Sequence, residues 1–291
     1  MLSYLLLSGL TTGSIYALVA LGIVLVYKAT GTINFAHGDQ LMIAGFLAFT
    51  LHVLLGLPYL VALAGAVAGS FALGAVAAQV GFRAVLRTSL VNVVLATLGL
   101  AFVLKGFARL TWGGISDYLS FPPLVRPEPI LIGDMVLLPQ QLVVTAGALA
   151  VMGLFALFFR LTTIGKAMQA TADNPRAARL VGIRVERIHL LAFAVGAAIA
   201  GAGATLMAPL TLLYPDIGFM LFIKGFAAAV LGGLTSLPGA LVGGIAIGVV
   251  EALAAGYIHS SFLEVSAFVA IMATLVLRPR GLMGGPPPRR A

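Results

Sequence analysis

The chain has 291 residues, 61% of them apolar and only 9% charged, with a mean hydropathy of +1.11. A soluble domain carries about 25% charged residues because its surface faces water, so soluble enzymes and nucleic-acid-binding domains are excluded despite a net charge of +8. The 17 basic residues fall in gaps between long apolar runs, as membrane topology signals do, and the lack of cysteine excludes disulfide frameworks and thiolate metal sites.

The composition therefore predicts an all-α polytopic membrane protein. A crossing helix needs about 20 apolar residues. Residues 1–27 carry no charge and lack the basic start of a signal peptide, which predicts a retained first span. On it Ser8, Thr11, Thr12 and Tyr16 share one helical face. That face is expected toward protein, with Thr12 and Tyr16 either packing or lining a substrate pathway.

Gly31-Thr-Ile-Asn-Phe-Ala-His-Gly38-Asp-Gln then interrupts the apolar pattern. Two readings are open. One is a helix broken at depth, where Asn34, His37 and Asp39 line a pathway, since broken backbone is tolerated there only against protein or water. The other is a cytoplasmic loop whose Asp39 caps the next helix. The glycine spacing of 31–38 is echoed at Gly232-Gly-Leu-Thr-Ser-Leu-Pro-Gly239, either an internal repeat or coincidence in a glycine-rich chain.

The 43 uncharged residues between Asp39 and Arg83 predict two helices turning at Gly56-Leu57-Pro58. Residues 88–104 predict a fourth helix and 135–159 a fifth. The stretch 105–134, with four prolines (Pro122, Pro123, Pro127, Pro129), predicts a structured extracytoplasmic cap. The 160–189 loop carries Arg160, Lys166, Arg176, Arg179, Arg184 and Arg187. Inside it Asp173-Asn174-Pro175 starts a short helix running through Arg176, Ala177, Ala178 and Arg179 to Gly182. This is expected as a docking knob with a small Ala177-Ala178 face; the plainer reading is a basic anchor.

Residues 190–213, 217–234, 238–258 and 262–277 predict four more spans, which makes nine in a single domain covering 1–291. With Lys28, Arg83, Arg87, Arg278, Arg280, Arg289 and Arg290, 13 of the 17 basic residues then share one side with the 160–189 loop. The N-terminus is expected outside and the C-terminus in the cytoplasm. Lys224 and Glu251 fall at matched depth and are expected to pair. The alternative is that Lys224 snorkels outward while Glu251 lines a wet cavity. Gly-x-x-x-Gly pairs at Gly9/Gly13, Gly65/Gly69, Gly239/Gly243 and Gly244/Gly248 suit close helix packing or hinges.

The chain has no phosphate-binding Gly-x-x-x-x-Gly-Lys-Ser/Thr: Gly165-Lys166 is followed by alanine, and Arg160 stands where the first glycine belongs. No zinc-hydrolase pattern or nucleophile elbow occurs either. No catalytic residue and no metal or cofactor bound by this chain is expected.

The stretches GLTTGSIYALVALGIVLVY (9–27), GTINFAHGDQLMIAG (31–45), GKAMQATADNPRAARLVGI (165–183) and AAVLGGLTSLPGALVGG (228–244) resemble the LivH-type permease subunits of branched-chain amino acid ABC importers. The general coupling motif of ABC permeases, Glu-Ala-Ala-x-x-x-Gly, is matched by Arg176-Ala177-Ala178-x-x-x-Gly182, with Arg176 in place of the acid. The resemblance implies a subunit of the bacterial inner membrane, embedded in the lipid bilayer, forming half of the pathway. Its implied partners are a second permease, two ATP-binding subunits that hold ATP and Mg, and a periplasmic substrate-binding protein; nucleic acid is not among them. Related permeases serve urea and short amides. A rival outside the family is a stand-alone secondary transporter or channel using His37 and Asp39 as a proton relay.

Overall fold

The computed structural model describes residues 1–82, 85, 89–116, 118–125, 128–132 and 135–285. Arg83, Arg87, Arg289 and Arg290 of the orientation argument, and Pro127 of the expected cap, lie outside the described residues.

The protein is mostly helical. Helix α1 (Leu2–Thr30) is buried on every side from Gly13 to Val26, as expected of a helix apolar all round. It stops at Gly31, whose left-handed φ of 69° lets its N–H donate back to the Tyr27 carbonyl. Helix α2 (His37–Phe49) continues as a π-helical turn over Thr50–Leu54. After Gly56 (φ 66°) and Pro58 comes α3 (Tyr59–Ala77) with a second π turn, Ala78–Phe82.

Helix α4 (Leu90–Trp112) runs eight residues past the expected end at 104. Two contacts hold the extension. Trp112 stacks on Phe46 and donates from Nε1 to Thr50 Oγ1 at 2.8 Å. Lys105 and Arg109, which read as the end of a span, find acidic partners on other helices. Strand β1 (Leu119–Ser120) follows, then a hairpin of β2 (Ile130–Ile132) and β3 (Met135–Leu137).

Next come α5 (Pro139–Leu161), α6 (Thr163–Asp173), α7 (Pro175–Leu180) and α8 (Val185–Met207). Strand β4 (Leu212–Leu213) pairs antiparallel with β1 and joins the two halves of the chain. Helices α9 (Ile217–Gly232), α10 (Leu237–Tyr257) and α11 (Phe262–Leu277) complete the bundle. Among the described residues six helices are long and apolar enough to cross a membrane; α9 and α11 are shorter.

The packing follows glycine. Gly9 and Gly13 of α1 lie against Gly248 and Gly244 of α10: a Cβ on Gly9 would fall 2.9 Å from the Gly248 carbonyl, and one on Gly13 2.9 Å from that of Gly244. Two of the Gly-x-x-x-Gly pairs thus form one antiparallel seam, where only missing side chains allow backbone contact.

Two three-helix units embrace each other. α1 packs along α10, and α8, the first helix of the second unit, packs along α3, the last of the first. α1 and α8 themselves run antiparallel, with Gly22 facing Gly196 and Leu18 facing Gly203. Gly38, Leu41, Ile43, Gly45 and Phe46 of α2 recur in register as Gly218, Leu221, Ile223, Gly225 and Phe226 of α9. The units α1–α3 and α8–α10 therefore form an inverted repeat, an arrangement common in transporters. The repeat is not the one echoed by 31–38 and 232–239. Gly232 and Gly239 pack on each other across the α9–α10 turn, whereas Gly38 meets α9.

The end of the chain straps this turn. Leu282 and Met283 donate backbone N–H groups to the Leu231 and Gly232 carbonyls at 2.8 and 3.0 Å. Gly285 N–H donates to Thr235 Oγ1 at 2.8 Å.

Candidate functional site

The segment between α1 and α2 is closed inside the bundle. Asn34 Oδ1 accepts from Ala36 N–H at 3.1 Å, and Asn34 Nδ2 donates to Gln40 Oε1 at 3.2 Å. Asn34, His37, Asp39 and Gln40 are each at most 2% exposed, so the exposed-loop reading of this segment is set aside. The His37 ring fills the notch that Gly22 leaves on α1, close to the α8 backbone at Gly196. Phe35 packs its ring on Phe222 of α9 at 5.5 Å. The break is only partly satisfied: Asn34 is hydrogen-bonded on both sides, whereas both His37 ring nitrogens, Asp39 Oδ1 and Gln40 Nε2 are buried with no hydrogen-bond partner among the described residues. Gln40 was not singled out from the sequence; its place beside Asp39 in the first turn of α2, six residues after Asn34, was the available signal.

Asp39 opens onto an ionic cluster joining three elements. Lys105 Nζ of α4 lies 4.0 Å from Asp39 Oδ1 and 3.4 Å from Asp216 Oδ1, at the start of α9. Arg109 Nη2 donates to Asp216 Oδ2 at 2.8 Å. Lys105 also sits 5.5 Å from the centre of the Phe219 ring, within cation–π range. Sequence reasoning missed Lys105, Arg109 and Asp216. No spacing signal pointed to them: in the α2/α9 register Asp39 matches Phe219 and Asp216 matches Ala36, so the two aspartates are not repeat equivalents.

A second polar cluster joins α1, α9 and α10. Lys224 Nζ donates to Glu251 Oε1 and, at 3.1 Å, to the Tyr16 hydroxyl. The Tyr16 hydroxyl donates to the same Glu251 oxygen at 3.2 Å. Lys224 lies over the Tyr16 ring at 5.4 Å. Glu251 Oε2 is buried and has no hydrogen-bond partner among the described residues. Thr12 stays apart from this cluster: its hydroxyl donates to the Ser8 carbonyl of its own helix at 3.0 Å. Thr11 is the hydroxyl that crosses helices, 3.0 Å from Thr145 Oγ1 of α5.

The short helix α7 is capped by Asn174, whose Oδ1 accepts from the N–H groups of Arg176 and Ala177, both at 3.1 Å. Pro175 occupies the first turn, where its missing N–H costs nothing. The helix ends at Leu180, before Gly182 takes φ 85°. Ala178 does not present the expected small outer face. It is 3% exposed, turned with Pro175 into the protein's own body where α7 packs on α6 and α8, and Ile183 N–H donates to its carbonyl at 3.0 Å to close the helix end. The outer face belongs to Arg176, Ala177, Arg179, Leu180 and Val181, and the last two are 88% and 76% exposed. Arg179 pairs with Glu186 at 3.4 Å. Helix α6 joins α7 to the bundle by packing on α1, and Met168 and Ala172 line a small cavity together with Leu25 and Ala29 of α1 and Leu237 of α10.

Among the described residues no group of three or more His, Asp or Glu side chains could hold a metal ion. What the fold offers instead is a buried break, two interhelical charge clusters and a raised basic hairpin. Residues 5–277 match the family model described as "Branched-chain amino acid transport system / permease component". The chain belongs to this permease family. It is 32% identical to the high-affinity branched-chain amino acid transport system permease protein LivH of Escherichia coli, over 96% of this chain and 94% of that one. It is equally similar, at 32%, to BraD of Pseudomonas aeruginosa, over 97% and 95%. A probable LivH of Methanocaldococcus jannaschii is 29% identical over 93% and 89%. Among solved structures, PsaBC from Streptococcus pneumoniae in complex with Fab superposes with a TM-score of 0.51 over 94% of this chain and 91% of that one. At 17% identity it shares the fold alone. In this permease the family's residues 5–277 include both charge clusters and the α7 hairpin.

Proposed function

We propose that this permease is the membrane-spanning half of an ATP-driven importer for branched-chain or closely related neutral amino acids. It pairs with a second permease, engages two ATP-binding subunits at the cytoplasmic face and receives substrate from a periplasmic binding protein. In the bacterial inner membrane it crosses nine times, with α6 and α7 as the cytoplasmic coupling loop, the stretch between α4 and α5 as the extracytoplasmic cap in place of the expected 105–134, the N-terminus outside and the C-terminus inside. Helices α2, α9 and α11, the two shorter ones included, count among the nine.

The observation that carries this reading is the near full-length similarity to LivH and BraD, whose names state that transport. The α7 hairpin supports it physically. Leu180 and Val181 stand out from a basic loop on a short capped helix and are left exposed by the described residues. ATP hydrolysis resides in the partner subunits. Their closure pushes on α7, and α6 passes the movement to α1 and α10. Asn34, His37, Asp39, Thr12 and Tyr16 border the path that opens alternately to either side.

The test is purification of the complex with its binding protein, followed by ATPase and uptake assays. Leucine, isoleucine or valine should stimulate hydrolysis and accumulate inside vesicles. Stimulation by urea or short amides instead would move the substrate class. Uptake by the lone chain, without an ATPase, would make it a secondary transporter or channel.

A further inference from the structure

The outward face of α9 differs from that of α11. Asp216, Phe219, Met220, Ile223 and Lys224 follow at i, i+3, i+4, i+7 and i+8, which is one stripe of a helix. The opposite face is buried: Gly218 and Phe222 against Gly38, and Gly225 against Val19 of α1. The stripe is charged at both ends and apolar between, with Phe219 exposed and Met220 and Ile223 half-buried. Asp216 is 53% exposed and shares Lys105 and Arg109 at its end, while Lys224 is partly exposed at the other. By contrast, the exposed positions of α11 include Phe268, Val269, Met272, Leu275 and Val276, an apolar row suited to lipid.

Lipid does not cover charges cheaply, and ionisable groups inside spans face protein or water. Helix α9 is also only 16 residues long, about 24 Å, against a hydrocarbon core of about 30 Å. It falls short of the full core thickness, and its first turn packs on the first turn of α2 inside the bundle. It is half of the inverted repeat, and transporters place their paths where such repeats meet.

We propose that this stripe of α9 is a wall of the translocation path and that the migrating zwitterion slides along it. This rests on the importer reading. Asp216, Lys105 and Arg109 form an outer station where ammonium and carboxylate each find an opposite charge. Phe219, Met220 and Ile223 receive the aliphatic side chain. Lys224 marks an inner station. From 216 to 224 the helix rises about 12 Å, longer than one amino acid, so the two stations are occupied in succession.

The chain has no cysteine of its own, so single cysteines report their own surroundings. Phe219→Cys, Met220→Cys and Ile223→Cys are made in the assembled complex, with Phe268→Cys and Val269→Cys of α11 as comparison. Each is treated in membranes with a charged, membrane-impermeant thiol reagent, with and without leucine and the binding protein. The α9 cysteines should react several-fold faster than those of α11, and leucine should slow them. Equal reactivity on α9 and α11 overturns the proposal, and so does fast reaction that leucine leaves unchanged. Only variants that still co-purify with the ATPase are scored, and three positions guard against one failing to assemble. Leucine uptake by the unsubstituted complex tests the importer reading separately: normal uptake with unreactive α9 cysteines sinks only the stripe.

Discussion

Gly38 and Gly218 meet backbone to backbone where the first turns of α2 and α9 cross. A Cβ on Gly218 would fall 2.5 Å from the Gly38 carbonyl oxygen and 3.0 Å from Asp39 Cα, and one on Gly38 would strike the Gly218 carbonyl. The contact brings the two halves of the repeat together and sets Asp39 and Asp216 around Lys105.

Gly218→Ala and Gly38→Ala should each destabilise the solubilised permease, since the obstacle is rigid backbone and overpacking costs about 1–3 kcal/mol. Gly99→Ala on α4, where an added Cβ meets nothing within 4 Å, should be neutral or slightly stabilising. Thermal unfolding in detergent compares the three. An unchanged midpoint for Gly218→Ala would contradict the close approach.

In the Tyr16–Lys224–Glu251 cluster, removing one charge leaves the other buried without its partner. Lys224→Met or Glu251→Leu alone should cost about 3–5 kcal/mol, whereas the double replacement should recover much of that loss. Tyr16→Phe removes a shared hydroxyl and should cost about 1–2 kcal/mol. A double-mutant cycle on unfolding measures the coupling directly; an additive result would deny the pair.

On α7 the apolar outer residues should govern docking. Leu180→Asp and Val181→Asp should release the ATP-binding subunits while the permease still inserts. Ala178→Trp should damage the hairpin itself, because Ala178 is buried in its own chain. Arg179→Ala should change little, since an exposed pair such as Arg179–Glu186 contributes about 0–1 kcal/mol. Co-purification of the ATPase in mild detergent, with membrane abundance of the permease, separates these outcomes.

The C-terminal strap predicts a further contrast. Gly281 has φ 74° and its Cβ position is 2.5 Å from Gly233 N. Gly281→Val therefore combines a clash with about 1–3 kcal/mol of backbone strain and should loosen the α9–α10 turn. Arg280→Ala should not. Limited proteolysis at the α9–α10 turn reads the difference, with uptake as the functional measure.

The sequence by itself determined the membrane class and the approximate place of every long helix. Apolar run length, interrupting charges and glycine or proline breaks are local quantities, and lipid leaves the backbone no spanning form but a helix or a closed barrel. It also located the break at 31–38 and the Asn174–Pro175 cap, both written in adjacent residues. Only the tertiary structure decided the partners. Lys105 and Arg109 read as the end of a span until Asp216, over 100 positions away, was folded against them. Tyr16 was one hydroxyl on a helix face until Lys224 and Glu251 arrived from two other helices. Ala178 faces inward because that side of α7 packs on α6 and α8, which no spacing within 175–182 encodes. Local pattern fixes which residues form a helix; which face of that helix meets which neighbour is set by the packing of the whole bundle, where glycine seams choose the contacts and the charges must then find one another.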